Sequence, residues 1–178
     1  MIEPTNPSGS IRFRTAGTSD IPLIQRLADE IWRGSYRELL GEAQVEYMLG
    51  WMYGTERLWN DLGSGVQYDI IENAGVPVGF IGYQRYVDQP VVHLHKLYLS
   101  PSQHGRGVGQ AALRHVREFA KRSGATTVEL RVNKRNERAI QAYRRAGFEI
   151  QDSIVADIGG GFVMDDYVMR ASLAPASA

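Results

Sequence analysis

A short glycine-rich segment carries the strongest chemical signal in this 178-residue sequence. Residues 103–109 read QHGRGVG and stand between a strand-like run and a helix-like run. Glycine adopts backbone conformations that other residues avoid, and it lets the chain approach a ligand closely. The free N–H groups of a following helix N-terminus attract phosphate. The segment predicts a pyrophosphate-binding loop with Arg106 at its edge, although alternating glycines also form ordinary turns.

Two other phosphate-binding loops can be compared with these residues. A kinase-type P-loop needs Gly-Lys-Ser/Thr, and Gly109 is followed by Gln110, so that loop is excluded. The dinucleotide pattern G-x-G-x-x-A is matched by residues 107–112, with Glu129 near the expected position of the acidic partner. Glu129 falls in the middle of a strand-like run rather than at its end. The dinucleotide interpretation therefore stays the weaker alternative.

The periodicity of apolar residues predicts the elements that position this loop. Strands are expected at 11–15, 66–72, 76–86, 91–99, 126–132, 148–157 and 162–170, and helices at 20–33, 41–49, 55–62, 107–122 and 136–145. Strand 91–99, helix 107–122 and strand 126–132 form a βαβ unit, whereas the strands before it suggest antiparallel pairing. The expected fold is α/β (α+β): a mixed, mostly antiparallel twisted sheet of about seven strands flanked by helices.

The amino-acid composition argues against several classes of function. Twenty basic and 20 acidic residues give zero net charge, which argues against nucleic acid or an acidic membrane surface as a partner. The absence of cysteine excludes a thiol nucleophile, and no metal site is expected. No apolar stretch is long enough for a membrane span. We expect a flexible leader at 1–10, a single domain at 11–170, a flexible tail at 171–178 and a cytoplasmic location.

Two motifs together point to a family. The run His95–Phe148 resembles the GNAT superfamily of acyl-CoA-dependent N-acyltransferases. The family loop pattern, Gln/Arg-x-x-Gly-x-Gly/Ala, is similar to residues 104–109, with His104 in place of the usual Gln or Arg. The second family signature is matched by Asn136, Ala139, Tyr143, Gly147 and Phe148. The resemblance implies a GNAT-like fold and an N-acetyltransferase that uses acetyl-CoA as its acyl donor.

The resemblance also implies where the donor binds, in a V-shaped gap between strands 91–99 and 126–132. Backbone bonds to the pantetheine arm would come from Leu97, Tyr98 and Leu99. The pyrophosphate would meet the loop and the start of its helix, that is His104, Gly105, Arg106, Gly107, Val108, Gly109 and Gln110. Asn136 would contact the arm and Ala139 would pack beside it, although Asn136 is also a good helix N-cap.

The same resemblance suggests catalytic residues. Tyr143 lies seven residues after Asn136 and so on the same helix face, where it could protonate the departing CoA sulfur. A buried aromatic packing residue is the alternative. His93 and His95 lie two apart on the strand before the loop, and either could take the proton from the amine. Position 93 is the better match to the family's base, and some relatives use no dedicated base. His115 is expected to be structural.

The acceptor side carries weaker signals. Three i,i+4 pairs, Trp32/Tyr36, Tyr47/Trp51 and Met48/Met52, would wall the acceptor site in this family or, alternatively, form core or a homodimer face. Asp165-Asp166 could attract a cationic amine. The expected reaction is direct acetyl transfer, in a ternary complex, to a small-molecule amine or a peptide N-terminus. The alternative is a catalytically weak acyl-CoA-binding regulator of the same fold.

Overall fold

The computed structural model describes residues 10–173. Its strands, in chain order, are β1 (Ile11–Thr15), β2 (Gln67–Asn73), β3 (Val76–Arg85), β4 (Val91–Leu99), β5 (Thr127–Asn133), β6 (Glu149–Gly159) and β7 (Phe162–Ser172). Its α-helices are α1 (Ile21–Ser35), α2 (Arg37–Leu40), α3 (Glu42–Tyr53), α4 (Thr55–Gly63), α5 (Val108–Arg122) and α6 (Glu137–Arg145). The strands form one sheet in the order β1-β2-β3-β4-β5-β7-β6.

Only β4 and β5 run parallel among the neighbouring strands of these described residues; the other pairs are antiparallel. The parallel pair is joined through α5, because parallel strands need a crossover connection. The sequence-based prediction of a mixed, mostly antiparallel sheet with flanking helices is therefore confirmed.

Helical spacing decides which faces of the helices meet the sheet. On α5, Val108, Ala112, Val116 and Ala120 repeat every four residues, and each is at most 1% exposed. They pack with buried residues of the sheet on one face, beside α6. The helices α1, α3 and α4 cover the opposite face, where the largest fully buried side chain is Trp32. The sheet therefore lies between two apolar cores, one on each face.

A close approach of β3 and β4 depends on glycine. A Cβ atom at Gly79 would lie 2.2 Å from the carbonyl oxygen of Tyr98 and 2.9 Å from Cδ2 of Leu99. No larger residue fits there without moving the strands apart. Gly79 thus lets the end of β4 lie tightly against β3, which leaves the other edge of β4 facing β5.

The ends of several elements differ from the prediction. The short helix α2 was not expected, and α3 extends to Tyr53 rather than 49. The tail predicted at 171–178 is wrong for its first residues, because Ala171 and Ser172 pair with β5. Ala171 is fully buried and Leu173 is 8% exposed. The small residues at the start of this tail give only a weak sequence signal for a strand. They are in strand conformation because they pair with β5. The remaining tail and the leader, apart from Ser10, lie outside the described residues.

Among residues 10–173, none of the helices combines the length and the apolar character that crossing a lipid bilayer requires.

Candidate active site

The parallel pair of β4 and β5 separates part of the way along its length. Pairing joins Val91–Leu94 to Thr127–Leu130. Beyond those residues β4 continues to Leu99 and β5 to Asn133 without pairing to each other. The edge of β4 that faces β5 is therefore free over its last residues. An unpaired strand edge can accept an extended ligand as an added strand.

The separation coincides with a bulge in β4. Gly82 of β3 pairs with Lys96 and Tyr83 pairs with Leu94, which leaves His95 as the extra residue of β4. A bulge bends its strand and increases the local twist. The separated strands open a cleft with a volume of about 1490 Å³. His95 lines this cleft at the point where the strands part.

The glycine loop closes one end of the cleft. Gly105 has φ 74° and Gly107 has φ 79°, both in the left-handed region that favours glycine. Gly107 is the N-cap of α5. Val108 is 1% exposed and anchors the loop in the core. Among the described residues, the backbone N–H groups of 105 and 107–110 have no protein acceptor. These free donors at a helix N-terminus form a cradle for an anion.

Helix α6 forms the opposite wall. Its N-cap is Asn136, whose side-chain oxygen accepts a hydrogen bond from the backbone N–H of Ala139 at 3.2 Å. The capping role that the sequence offered for Asn136 is thus present. Gln110 of α5 donates from Nε2 to the carbonyl of Ala142 at 3.0 Å, which fixes α6 against the glycine loop. The two helices therefore hold the cleft walls at a set distance.

The structure brings most of the predicted donor-binding residues to this cleft. Its lining includes Leu97, Tyr98, Leu99, His104, Gly105, Gly107, Gly109, Gln110, Asn136, Ala139 and Tyr143. The side chains of Arg106 and Val108 do not line it, because Arg106 is exposed outside and Val108 is buried in the core. Val108 contributes its free backbone N–H to the anion cradle, whereas the N–H of Arg106 is bonded to the carbonyl of Gln103 at 3.4 Å. His104 pairs through Nδ1 with the guanidinium of Arg138, a neighbour that the sequence analysis missed.

Tyr143 lies on α6 where the two walls converge. Burial raises its pKa, and the nearby hydroxyl of Tyr36 adds to that effect, so the phenol keeps its proton at physiological pH. Its ring packs edge-on against Phe148, with centroids 5.9 Å apart. The pKa of Tyr36 is raised to about 12 by burial, and its hydroxyl lies at the Asn136 side chain. Tyr36 thus reaches across the cleft from α1 to α6, a contact that sequence spacing did not reveal.

The two candidate histidines have different surroundings. Nδ1 of His93 lies 3.2 Å from Glu129, and its ring borders a smaller cavity beside the main cleft. His95 lines the main cleft, and its ring stacks on His93 with centroids 6.1 Å apart. His95 is an exposed residue of the cleft, but protein atoms packed around its ring partly desolvate it and lower its pKa to about 4, with the His93 ring contributing. His95 is therefore neutral near pH 7.

The ion pairs of Glu129 also bear on the dinucleotide alternative. Arg170 contacts a carboxylate oxygen of Glu129 through Nε at 2.7 Å and Nη2 at 2.6 Å. His93 occupies the other oxygen. Glu129 is thus engaged within the sheet and is not free to bind a ribose hydroxyl, which removes the acidic partner that a dinucleotide site needs.

A buried charge cluster underlies the acceptor half of the cleft. Nζ of Lys96 lies 3.0 Å from Oδ2 of Asp61, and the same carboxylate oxygen accepts a hydrogen bond from the Tyr68 hydroxyl at 2.8 Å. Arg57 contacts the other oxygen at 2.9 Å. Burial lowers the pKa of Lys96 against the raising effect of Asp61. Burial alone would raise the pKa of Asp61, but Lys96 and the hydrogen bonds hold it below its usual value.

The outer wall of the acceptor half comes from α1 and α3. The side chains of Trp32, Tyr36, Met48, Trp51 and Met52 line the cleft, as the helical pairs suggested. Tyr47 does not. Its hydroxyl donates to the carbonyl of Ile158 at 2.5 Å, which ties α3 to the β6–β7 hairpin. His115 hydrogen-bonds through Nε2 to Asp69 at 2.8 Å, away from the cleft. In the described part of the chain no cluster of three or more His, Asp or Glu side chains could hold a metal ion.

The sequence of this chain matches a protein-family model and several individual proteins. Residues 26–148 fit the model of the Acetyltransferase (GNAT) family. A spermidine N(1)-acetyltransferase of Thermoplasma acidophilum is 24% identical over 161 residues, covering 88% of this chain and 96% of that protein. An uncharacterised N-acetyltransferase of Methanocaldococcus jannaschii is 33% identical over 90 residues, which cover 48% of this chain and 40% of the relative.

Solved structures agree on the fold. The structure of PaiA N-acetyltransferase from Thermoplasma acidophilum, in complex with coenzyme A, superimposes with a TM-score of 0.79 and 21% identity, covering 92% of this chain and 99% of that chain. The ribosomal-protein-S18-alanine N-acetyltransferase from Escherichia coli gives a TM-score of 0.70 at 16% identity, covering 94% of this chain and 97% of that one.

The buried cluster predicts an asymmetric response to substitution. Asp61→Asn leaves the Lys96 ammonium buried without its counter-ion, so urea unfolding should show a loss of about 3 kcal/mol. Lys96→Met leaves Asp61 with Tyr68 and Arg57, and the loss should stay below about 1.5 kcal/mol. The stability of Asp61→Asn should also rise with pH, because unfolded Lys96 binds a proton that the folded state resists. Equal losses in the two variants would contradict this assignment.

Proposed function

The chain belongs to the GNAT acetyltransferase family, and we propose that it moves an acetyl group from acetyl-CoA to a primary amine by direct transfer in a ternary complex. The observation that carries the proposal is the parting of β4 and β5 above a glycine loop with free N–H groups. A free strand edge and an anion cradle in one cleft suit a ligand with an amide-containing arm and a pyrophosphate. Acetyl-CoA has both.

The donor half of the cleft supports binding of such a molecule. The backbone N–H groups at 107–110 would bind the pyrophosphate, and the free edge at 97–99 would bond to the pantetheine amides. Arg138, paired with His104 beside the loop, adds positive charge at this end. The coenzyme A bound in the PaiA structure supports the same class of donor. The donor would supply the acetyl group as a thioester.

His95 is proposed to accept the proton that the amine loses. It is neutral at physiological pH because its pKa is lowered to about 4 by burial, so a ring nitrogen is free to accept a proton directly or through water. A weak base suffices, since the amine nitrogen becomes much more acidic as it bonds to the carbonyl carbon. His93, stacked on His95 and held by Glu129, is proposed to position the His95 ring.

Tyr143 is proposed to hydrogen-bond the departing sulfur. Burial keeps its phenol protonated, so it can donate but does not ionise readily. A donor of this kind stabilises developing negative charge on a leaving group mainly in the transition state. Tyr36 lies close to the same hydroxyl and helps to exclude water from that end of the cleft.

The acceptor is proposed to be a small-molecule amine or a peptide N-terminus. Support comes from the wall of Met and aromatic side chains and from relatives that include a spermidine N(1)-acetyltransferase. The E. coli structural neighbour is named for acting on the alanine of a ribosomal protein. A homodimer and a cytoplasmic location stay predictions.

Turnover tests the proposal directly. Release of CoA should be seen when acetyl-CoA is mixed with one or more of a panel of polyamines, amino acids, aminoglycosides and peptides. Initial-rate plots with both substrates varied should intersect, because the chain has no cysteine to carry the acetyl group. Parallel lines would contradict direct transfer. Tight acetyl-CoA binding without turnover of any amine would favour the regulator instead.

Substitution of the loop should weaken donor binding. Gly107→Asp places a carboxylate among the N–H donors, and calorimetry should show acetyl-CoA affinity at least about tenfold lower, equivalent to about 1.4 kcal/mol. Gly161→Asp is the matched control: its φ of 80° imposes the same backbone strain, and the residue lies at the β6–β7 turn, away from the cleft. Unchanged affinity in a folded Gly107→Asp variant would remove the loop from the donor site.

Tyr143→Phe separates chemistry from packing. The ring and most of its burial are kept, and only the hydroxyl is lost, so single-turnover acetyl transfer should slow by about 10²-fold with little change in acetyl-CoA affinity. Tyr83→Phe serves as the control, because its hydroxyl donates to Asp69 at 2.7 Å in the structural core. That variant should lose stability while its transfer rate stays near the parent value. A Tyr143→Phe rate within about threefold of the parent, well short of the usual loss of a general acid, would reduce Tyr143 to a packing residue.

A further inference from the structure

One carboxylate in the acceptor half of the cleft is not used by the site described above. Asp166 lies on β7, opposite Asn133 of β5 and Ile154 of β6. It lines the cleft, yet its side chain is buried, with only 8% of the residue exposed. Its Oδ1 atom is fully buried and has no hydrogen-bond partner among the described residues. A buried carboxylate oxygen without a donor is costly unless a ligand supplies one.

The charged neighbours of Asp166 do not neutralise it. Lys134 is engaged with Asp165, at 2.5 Å. Arg131 of β5 also acts on Asp166, but it forms no ion pair with that carboxylate in the described structure. Burial is the main cause of the raised pKa of Asp166. The charge of Asp165 also raises this pKa, whereas Arg131 and Lys134 lower it. A positive group that enters the cleft would therefore meet a carboxyl oxygen for which the described residues supply no donor.

The reacting nitrogen cannot be that positive group. An amine must be neutral to attack a carbonyl carbon, because its lone pair forms the new bond. A cation bound at Asp166 must then be a different part of the acceptor, separated from the nitrogen that reacts near His95. Asp61, another acidic residue that lines the cleft, is already paired with Lys96 and Arg57.

We propose that Asp166 binds a second, non-reacting ammonium group of the acceptor, so that the substrate is a diamine or a longer polyamine. This rests on the proposed acetyltransferase function and names its substrate class. The spacer between the two nitrogens would pack along Met48 and Met52, whose flexible apolar side chains line the same cleft.

Equilibrium binding tests the proposal without depending on turnover. Calorimetry on the full chain, with and without CoA, compares 1,4-diaminobutane with n-butylamine, which has a similar chain but only one nitrogen. The parent should bind the diamine at least about tenfold more tightly, as expected for a hydrogen bond to a charged group. Asp166→Asn keeps the shape and should weaken diamine binding at least about tenfold, the loss expected for a charged hydrogen bond.

Two further variants separate binding from general electrostatics. Asp165→Asn removes an adjacent carboxylate that does not line the cleft, and the preference for the diamine should persist. Arg131→Gln removes a cation that favours the ionised form of Asp166, so the pH at which diamine affinity rises should move upward. Diamine affinity in the parent should also rise as pH increases through the raised pKa of Asp166, since a protonated carboxyl cannot pair with ammonium, and this rise should vanish in Asp166→Asn.

The outcomes distinguish this proposal from the proposed function. An unchanged diamine affinity in folded Asp166→Asn would overturn the role of Asp166 even if acetyl transfer occurs. Loss of preference in Asp165→Asn as well would show that only the net charge of the region matters, which also overturns it. Failure of CoA release with every amine would contradict the transferase function, whereas a diamine preference lost only in Asp166→Asn would still support the binding site.

Discussion

Two neighbouring strands that begin paired and then separate create the conditions on which the rest of this site depends. In a closed sheet the edge of β4 would be occupied by β5, and no ligand could reach it. The extra residue at His95 bends β4 away after Leu94, while Gly79 keeps the same strand tight against β3. The backbone groups left free at 97–99 then face a cleft instead of another strand.

The loop and helices turn that opening into a shaped site. The glycine loop connects β4 to α5, so the N-terminal N–H groups of α5 close one end of the cleft between the parted strands. Gln110 holds α6 against the loop, so Tyr143 is fixed on the second wall. The hydrogen bond from the Tyr47 hydroxyl to the Ile158 carbonyl connects α3 to the β6–β7 hairpin and fixes the position of the outer wall. Each group thus reaches the cleft from a rigid element, which favours a preorganised geometry.

Charge is arranged inside this neutral chain according to burial. Lys96 and Asp61 neutralise each other beneath the acceptor half, and burial keeps His95 uncharged and Tyr143 protonated. Asp166 differs because its Oδ1 atom is buried without a hydrogen-bond partner among residues 10–173. The low dielectric constant of the buried surroundings shifts the pKa of each group. These protonation states therefore depend on where a residue lies in the fold as well as on its type. The chemistry of the cleft therefore depends on which groups were left without a protein partner.

The sequence by itself determined the features that follow local rules. Alternating and helical periodicity predicted most strands and helices, and the glycines at 105 and 107 marked a loop before a helix N-terminus. Two spaced motifs indicated the family. Element ends were less predictable, since the pairing of Ala171 with β5 is a contact with a distant strand. Asn136 carried both a capping and a binding interpretation, and the structure shows the capping bond.

The tertiary structure decided which side chains share the cleft. His93 and His95 look equivalent in a regular strand, but the bulge places His95 on the cleft and leaves His93 with Glu129. Lys96 and Asp61 are 35 residues apart, and Tyr36 lies far in sequence from Asn136, so no local pattern connects them. Asp165 and Asp166 are adjacent, yet one is exposed and paired while the other is buried and alone. Periodicity records only the neighbours along one element, whereas burial and pairing depend on which distant elements pack together.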